Sequence, residues 1–426
     1  MSSTVRFSPL AIYFQDMSRR LDACECVWFG NRTIEADGTV SYTMPGVRFG
    51  FRVSGTCRVD VKMDTGGNFF KINLTSIGEK ELVYDLNMHS VTSDGTLEWV
   101  RVASNLDPAK TYDITIIKKT EPELKSILSR YDPVRVKRVR AASGGIFHDV
   151  SPKQFFYPSG YIEVIGDSDA CGFGVNGAIS STMNIFSIDG ADEDCLKAWG
   201  SCLARRLGFG DSVVCTAWSG KGIARNAPMC GDACIPELWF KHHSTTEDEL
   251  PKCIAILAGG NDFIDENYPG REEFIARFSE LFFMIRKIRG QAVPIYVFQC
   301  GASCCSSAGS PSEHPENDVW AKESCQLLDE FTRDAVNACG GETQRIYYHQ
   351  IQTKLDLATD YATMMHWSVS GQDKISSAMF QFISSLGDSN GFYRSMKRQT
   401  YSIHSNAMTT YYDIYKPITE DRSQSW

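Results

Sequence analysis

The stretch Tyr161-Ile162-Glu163-Val164-Ile165-Gly166-Asp167-Ser168 is a short apolar run that ends abruptly at Gly-Asp-Ser. Such a run predicts a buried strand followed by a tight turn, and the turn would place Ser168 at the mouth of a sheet. Open α/β sheets keep their ligands at this edge, beyond the carboxyl ends of the strands. A serine in that position can act as a nucleophile if other segments supply a base and donors for an oxyanion.

From about residue 159 the chain alternates between apolar strands and amphipathic helices. The strand candidates are residues 161–165, 212–217, 253–257, 295–299 and 345–349. The helix candidates are residues 193–207, 272–289, 318–338 and 370–386. Five strands that alternate with helices predict a three-layer α/β domain over residues 159–386, with a doubly wound parallel sheet and right-handed crossovers.

The chain before this region has a different texture. Short runs rich in β-branched and aromatic residues, such as 47–53 and 112–117, are separated by turn signals such as Pro45-Gly46 and Gly66-Gly67. This spacing predicts an antiparallel, all-β sandwich over residues 22–120.

Two segments lie outside the predicted domains. Residues 121–158 contain a short helical pattern at 121–131 and a basic patch of Arg135, Lys137, Arg138 and Arg140. We interpret this segment as a linker whose patch is a solvated or domain-contact face. Residues 387–426 form a polar tail rich in Tyr and Ser.

The composition argues against several classes of partner. The 426 residues carry a formal net charge of −9, with no long Lys/Arg-rich block. This argues against a nucleic acid partner, and no apolar run is long enough to span a membrane. The N-terminus lacks the basic-then-apolar pattern of a signal peptide, so we expect a cytoplasmic location. In that compartment the fifteen cysteines are expected to be free thiols rather than a disulfide framework.

Four short motifs carry the chemistry. Three follow predicted strands and one precedes the last helix: Gly166–Ser168, Trp218–Gly222, Gly259–Phe263 and His366–Gly371. Ser168 would attack an ester carbonyl, and His366 would take its proton and pass it to the leaving alcohol. The backbone N–H groups of Ser168 and Gly220 and the side-chain amide of Asn261 would bind the oxyanion. Each motif alone is an ordinary turn, loop or lone histidine, but the four together favour a serine hydrolase.

The order of these motifs resembles the SGNH (GDSL-type) hydrolase superfamily. Residues 171–174, 219–226, 260–263 and 366–371 also resemble carbohydrate esterase family two, and the resemblance extends over roughly residues 25–385. It implies a flavodoxin-like hydrolase domain preceded by a jelly-roll sandwich. It further implies an esterase that removes O-acetyl groups from a small-molecule or oligosaccharide substrate, with no metal or organic cofactor.

One position departs from the superfamily pattern. Most members have an Asp two or three residues before the histidine to orient its ring, whereas Met364 and Thr363 stand there in this chain. We expect a Ser–His pair in which a backbone carbonyl holds the imidazole in its reactive tautomer, as in some esterases that the chain resembles. Asp360 and Asp356 are the possible substitutes, although the six-residue offset of Asp360 directs it elsewhere.

Several alternatives stay open. Trp218 and Trp367 flank the predicted site, where each would either stack on a sugar ring or pack in the core. A loosely spaced set of possible zinc ligands consists of Cys230, Cys234, His242 and His243. The spacing is too loose to predict a metal site. The rival functions are a GDSL-type lipid esterase or thioesterase, and a carbohydrate-binding protein with a degenerate catalytic site.

Overall fold

The computed structural model describes residues 20–78, 82–84, 96–122, 132–179, 190–228, 230–245, 247–264, 268–301 and 319–387. Within these ranges, the first part of the chain forms two antiparallel sheets and the second part forms one parallel sheet with helices. Most of the predicted helix at 121–131, and the tail after residue 387, lie outside the described residues.

Short strands build the two antiparallel sheets. They are β1 (Arg20–Asp22), β2 (Val27–Phe29), β3 (Thr33–Ile34), β4 (Val40–Tyr42), β5 (Arg48–Ser54), β6 (Arg58–Asp64), β7 (Phe70–Ser76), β8 (Leu82–Tyr84), β9 (Glu98–Ser104), β10 (Thr111–Lys118), β11 (Val134–Ala141) and β12 (Ile146–His148). One sheet has the order β3-β4-β11-β6-β9 with β1 on β11, and the other has the order β12-β5-β10-β7-β8 with β2 on β5.

The two sheets pack face to face around one core. Along β7 buried residues alternate with half-buried ones, which is the two-residue period of a strand with one face in a core. Phe49 and Ile114 of one sheet and Val61 of the other belong to the same hydrophobic cluster. The predicted antiparallel sandwich is therefore present.

Two strands of the sandwich come from residues that the sequence assigned to a linker. β11 lies between β4 and β6 in the middle of its sheet, and β12 pairs with β5. The linker prediction for residues 121–158 is therefore wrong over residues 134–148. The buried residues of β11 alternate only in part, because a bulge lies between Val136 and Arg138 and basic residues fill the other positions.

The basic patch is the outward face of β11. Each of its members forms an ion pair, and the pairs are Arg135–Glu35, Lys137–Asp37, Arg138–Asp22 and Arg140–Asp60. Because these basic side chains are partly exposed, each pair contributes little to stability. The patch is a charge-paired surface of the sheet rather than a segment between domains.

The second part of the chain is an α/β unit. Its strands are β13 (Ile162–Gly166), β14 (Val213–Ala217), β15 (Ile254–Leu257), β16 (Ile295–Cys300) and β17 (Ile346–Ile351). Its helices are α1 (Pro152–Phe156), α2 (Ser168–Cys171), α3 (Trp199–Arg206), α4 (Ile235–His242), α5 (Arg271–Arg289), α6 (Val319–Ala338) and α7 (Val369–Ser385). The strands are all parallel in the order β14-β13-β15-β16-β17, so the predicted five-stranded parallel sheet is confirmed.

Helices cover both faces of the parallel sheet. Trp199 of α3 and Met379 of α7 share a cluster with residues of one face, and Trp239 of α4 and Phe278 of α5 share a cluster with residues of the other. Burial on both faces explains why the strands read as continuous apolar runs in the sequence. The sequence did not predict α4, because eight residues are too few to display a helical period clearly.

Nearly all the cysteines in the described ranges are free. The cysteines in the described ranges are free thiols, with the exception of Cys325 in α6, which is disulfide-bonded. The expectation of free thiols throughout is therefore wrong at that position. Within the described ranges, no helix combines the length and the apolar character needed to cross a membrane.

Candidate active site

Ser168 lies at the switch point of the parallel sheet. β13 pairs with β14 on one side and with β15 on the other, so the loops after these three strands meet at one edge. Only Asp167 separates β13 from α2, and its side chain caps the helix by accepting a hydrogen bond from the Asp169 N–H. A Cβ at Gly166 would lie 2.6 Å from the Ala170 Cβ and 2.8 Å from the Leu257 carbonyl oxygen, so this tight turn requires glycine.

His366 reaches Ser168 from the other end of the α/β unit. Its Nε2 lies 2.8 Å from Ser168 Oγ, and both residues are buried. Its Nδ1 lies 3.3 Å from the carbonyl oxygen of Thr363. A carbonyl oxygen can only accept, so this contact favours the tautomer that carries its proton on Nδ1 and leaves Nε2 free to accept from the serine hydroxyl. The ring of Phe173 packs edge-on against the imidazole, with the ring centres 4.9 Å apart.

A strained turn immediately precedes His366 and positions it. A 3₁₀ turn at Thr363–Met365 precedes it, and both Met364 (φ 54°) and Met365 (φ 60°) adopt left-handed backbone. The turn is closed by a 2.7 Å hydrogen bond from the Ala362 N–H to the His366 carbonyl. Residues other than glycine rarely adopt this backbone conformation, and those that do are often found at functional sites.

Asp360 does not orient the histidine in this structure. Its carboxylate accepts hydrogen bonds from Lys374 Nζ (2.5 Å), Ser370 Oγ (2.7 Å) and the Asp356 N–H (2.7 Å). Burial raises the pKa of Asp360, but these three hydrogen bonds together outweigh it, so the pKa lies below its ordinary value. The carboxylate ties the start of α7 to the preceding loop, and the contact of His366 Nδ1 is with Thr363 instead.

The three expected oxyanion donors lie on the three adjoining loops, but they differ in availability. Neither the Ser168 N–H nor the Gly220 N–H has an acceptor among the described residues. The Asn261 amide donates to Asp167 Oδ2 at 3.2 Å and to the Lys221 carbonyl oxygen at 3.0 Å. In this state the amide therefore links the third loop to the other two.

Comparisons with known proteins identify the fold. Sequence comparison finds no matching family model and no matching curated protein. Solved structures do match: a family two carbohydrate esterase from Clostridium thermocellum in complex with cellohexaose gives a TM-score of 0.64 at 16% identity, over 86% of this chain and 99% of that chain. A family two carbohydrate esterase from Cellvibrio japonicus gives 0.62 at 16% identity, over 87% and 98%. An acetyl xylan esterase from the rumen bacterium Butyrivibrio proteoclasticus gives 0.58 at 13% identity, over 88% and 99%.

The chain has the fold of the family two carbohydrate esterases. The resemblance drawn from the motifs is thus confirmed at the level of fold. Because the match extends over nearly the whole of those chains, it includes the β-rich first part as well as the α/β unit.

The two tryptophans beside the candidate site both make packing contacts. Trp367 is 2% exposed and belongs to the core between the sheet and α7, so of the two roles that the sequence left open for it, core packing is the one present and stacking on a sugar is wrong. Trp218 is half-buried and packs against the core of the sandwich. Its ring also lies 5.9 Å from Lys221 Nζ, close enough for a cation–π contact.

The possible zinc ligands do not assemble in the described part of the chain. No group of three or more His, Cys, Asp or Glu side chains there could hold a metal ion. The His242 ring instead packs against Trp218, and burial lowers its pKa to about 4. His243 Nδ1 contacts the Phe240 carbonyl oxygen at 2.8 Å.

Two buried carboxylates near the site have roles that the sequence did not predict. Asp262 accepts hydrogen bonds from the backbone N–H groups of Ile223, Ala224 and Arg225 at 2.7, 2.7 and 2.8 Å, and so fixes the loop after β14 to the loop after β15. Burial raises its pKa to about 7, although the three N–H groups oppose this. Glu121 contacts Cys171 of α2 and Ser219 of the loop after β14, but no local pattern distinguishes it within the predicted linker. The Asn-Asp pair after β15 was the available signal for Asp262.

Proposed function

We propose that this chain is a serine esterase of the SGNH superfamily, close to carbohydrate esterase family two, which removes O-acetyl groups from a carbohydrate. The observation that carries the proposal is the 2.8 Å contact between Ser168 Oγ and His366 Nε2 at the switch point of a doubly wound sheet. A buried hydroxyl–imidazole pair, with backbone N–H groups that lack acceptors in the described chain, suits acyl transfer.

The proposed mechanism has two acyl-transfer steps. Ser168 Oγ attacks the acetyl carbonyl while His366 Nε2 takes its proton, and the tetrahedral intermediate then collapses as His366 protonates the departing sugar hydroxyl. A water molecule then attacks the acetyl-serine while giving a proton to the same nitrogen. As the second tetrahedral intermediate collapses, His366 passes this proton to Ser168 Oγ, which releases acetate and restores the hydroxyl. Throughout, the Thr363 carbonyl holds the proton on Nδ1 and fixes the direction of the ring.

Two kinds of donor are proposed to bind the oxyanion: two backbone N–H groups and one side-chain amide. The N–H groups of Ser168 and Gly220 are the permanent donors, because neither has another acceptor among the described residues. Asn261 is the third, and its 3.2 Å hydrogen bond to Asp167 is the longer of its two. We propose that this bond is exchanged for one to the oxyanion, where a donor of this kind typically contributes on the order of 10²–10³ in kcat.

The carbohydrate substrate is supported by proteins that share the fold. The Clostridium thermocellum enzyme was solved with cellohexaose, and the Butyrivibrio proteoclasticus protein is an acetyl xylan esterase. We therefore propose an acetylated oligosaccharide as the substrate. No step of the mechanism above uses a metal or an organic cofactor.

The finer domain organisation is also a proposal. We propose that the sandwich is a jelly roll, which is supported by the alternation of β4 to β7, and again of β9 to β12, between the two sheets. The boundary is proposed to lie between β12 and α1, so that residues 20–148 form the sandwich and residues 152–387, which begin with α1, form the hydrolase domain. The cytoplasmic location remains a prediction from the sequence.

Hydrolysis of p-nitrophenyl esters of increasing chain length distinguishes the three candidate functions. We expect turnover of the acetate ester with little activity on long acyl chains, together with release of acetate from acetylated xylan or glucomannan. A preference for long chains would instead favour a lipid esterase or thioesterase. Absence of turnover on every ester would favour a binding protein with a degenerate site.

Replacement of the proposed catalytic residues tests the mechanism directly. Ser168→Ala and His366→Ala should each lower kcat by at least about 10³-fold, because the pair acts as one unit. Asp360→Asn should change kcat by less than about 10-fold while lowering stability, because its partners are Lys374, Ser370 and Asp356. An Asp360→Asn variant as inactive as His366→Ala would contradict the Ser–His pair.

A further inference from the structure

Glu121 is a buried carboxylate that reaches the candidate site from the sandwich. It lies three residues after the end of β10 and is 3% exposed. Its Oε2 accepts a 3.0 Å hydrogen bond from the backbone N–H of Ser219, the residue before Gly220. The same oxygen lies 3.6 Å from the thiol sulfur of Cys171, which itself lies 3.3 Å from the Ser168 carbonyl oxygen.

One carboxylate therefore contacts two of the elements that form the proposed oxyanion hole. Cys171 lies on α2, the helix that begins with Ser168, and Ser219 lies on the loop after β14. The hydrogen bond to the Ser219 N–H anchors the Trp218–Ser219 peptide, one residue before the peptide that carries the Gly220 N–H. Gly220 itself holds a left-handed backbone with φ 73°. The position of the loop that carries the Gly220 N–H thus depends on a hydrogen bond that Glu121 accepts.

The surroundings of Glu121 are charged and buried. Lys118 Nζ donates to the carbonyl oxygens of Thr120 and Glu121 at 2.5 and 2.7 Å, and the Glu121 N–H donates to Glu193 Oε2 at 3.1 Å. Burial raises the pKa of Glu121, and the hydrogen bonds from Ser219 and Cys171 and the charge of Lys118 oppose it. Burying charged groups costs desolvation free energy, so a buried charged cluster often adds little to the stability of the fold. Such clusters occur often at functional sites, and this one lies against the loop that carries Gly220.

We propose that Glu121 is a positioning residue, which anchors the loop after β14 at the Ser219 N–H so that the Gly220 N–H, one residue further on, is preorganised for the oxyanion. This inference rests on the proposed esterase function. It extends that function by making the segment after β10 part of the catalytic architecture, since the carboxylate that sets the loop is supplied by the sandwich side of the chain.

The test is steady-state hydrolysis of p-nitrophenyl acetate by full-length Glu121 variants. Glu121→Ala removes the acceptor of the Ser219 N–H, so kcat should fall by about 10–100-fold with KM within about twofold, as expected for a small misplacement of a group that acts in the transition state. Glu121→Gln retains an acceptor oxygen at the same place and should recover most of kcat. Glu121→Asp, which withdraws that oxygen by one methylene, should fall between them.

Glu163→Gln is the matched control for loss of a buried carboxylate. Glu163 of β13 is 0% exposed and bonds Arg289 and Trp239, away from the Ser168 loop. This variant should lower the midpoint of thermal unfolding and leave the kcat of the folded protein unchanged. Near-UV circular dichroism of each variant reports whether it is folded at the assay temperature.

Three results would overturn the inference in distinguishable ways. A folded Glu121→Ala with wild-type kcat, or a Glu121→Gln as impaired as Glu121→Ala, contradicts the positioning role while leaving the esterase function intact. A rise in KM with an unchanged kcat contradicts the positioning role as well, because an oxyanion donor stabilises the transition state rather than the bound substrate. A wild-type protein that hydrolyses no ester contradicts the function itself, and the positioning role falls with it.

Discussion

At the residue scale, the proposed mechanism depends most on the partner of the histidine. His366 Nδ1 lies 3.3 Å from the backbone carbonyl oxygen of Thr363, which can only accept, so in the proposed mechanism a carbonyl rather than a carboxylate holds the Nδ1 proton. A carbonyl fixes the tautomer as well as a carboxylate does, but it stabilises the imidazolium less because it carries no net charge. In the proposed mechanism the rate therefore depends more on how well the proposed oxyanion donors are placed.

Asp167, next to the proposed nucleophile Ser168, gives a prediction about pH. Burial, together with the neighbouring charge of Asp169, raises the pKa of Asp167 to about 8. Its pKa in the unfolded chain is about 4, so the folded state holds one more proton between these values. The free energy of unfolding should therefore decrease as pH rises through this window, by at most about 1.4 kcal/mol per pH unit from this group.

The variant Asp167→Asn tests this linkage because it cannot ionise. Relative to the wild type, its free energy of unfolding should increase as the pH is raised from about 4 to about 8. Urea denaturation of both proteins at several pH values measures the difference. If the difference in free energy of unfolding between the two proteins is the same at every pH, Asp167 has the same pKa in the folded and unfolded states and the prediction is wrong.

At the element scale, the loops after the parallel strands are held by contacts that reach across the sheet edge. Asp262 binds three successive backbone N–H groups of the loop after β14, and Asn261 bonds both neighbouring loops. Such loops are rigid where their backbone groups are satisfied, which is what preorganised donors require. The element that carries Gly220 is therefore the place where a small change should be felt most.

Gly220→Ala should lower kcat by about 10²-fold. The residue holds φ 73°, which is unfavourable for alanine, and a Cβ there would lie 2.1 Å from Cys230 Sγ. The double variant Gly220→Ala/Cys230→Ala should recover part of the loss, because it removes the sulfur but not the backbone strain. Steady-state kinetics gives the kcat of each variant. Cys230→Ala is the control, and its kcat is expected to be close to that of the wild type. A double variant no better than the single one would show that Cys230 does not limit the loop.

At the scale of the whole molecule, the sandwich and the α/β unit are joined by buried contacts. Phe29 of β2 packs against Tyr157 and Tyr161, with ring centres 5.1 and 5.5 Å away. Lys119, just after β10, pairs with Asp194 at 3.2 Å, and both side chains are 7% exposed. These contacts resemble a continuous core more than the polar interface of two independent domains.

The Lys119–Asp194 pair gives a prediction about stability. Lys119→Ala should lower the free energy of unfolding by about 3–5 kcal/mol, because it leaves a buried carboxylate without its cation. Lys119→Ala/Asp194→Ala should lower it by less than the sum of the two single variants, since the double variant buries no lone charge. Chemical denaturation of the four proteins completes the cycle, and strict additivity would mean that the two side chains are not coupled.

Much of the fold and part of the candidate site could be predicted from the sequence. The apolar runs that end at Gly166, Ala217 and Leu257 are strands because both faces of the parallel sheet are buried, and burial leaves a direct mark on composition. Parallel strands share one edge, so the motifs that follow them are expected to lie together in space. The pairing of Ser168 with His366 across 198 residues follows from this rule, and the two side chains lie in contact.

The tertiary structure decided what no local pattern records. β11 has the sequence of a linker because its charges pair with acids elsewhere in the sandwich, and Trp367 packs in the core although its place in the sequence suited a sugar. Glu121 meets Ser219 across 98 residues, and Asn261 bonds two loops that come from other strands. Periodicity reflects which face of an element is buried, so the sequence alone determined most of the elements and their order. The hydrogen bonds of single buried polar groups depend on distant partners, so only the folded chain determined them.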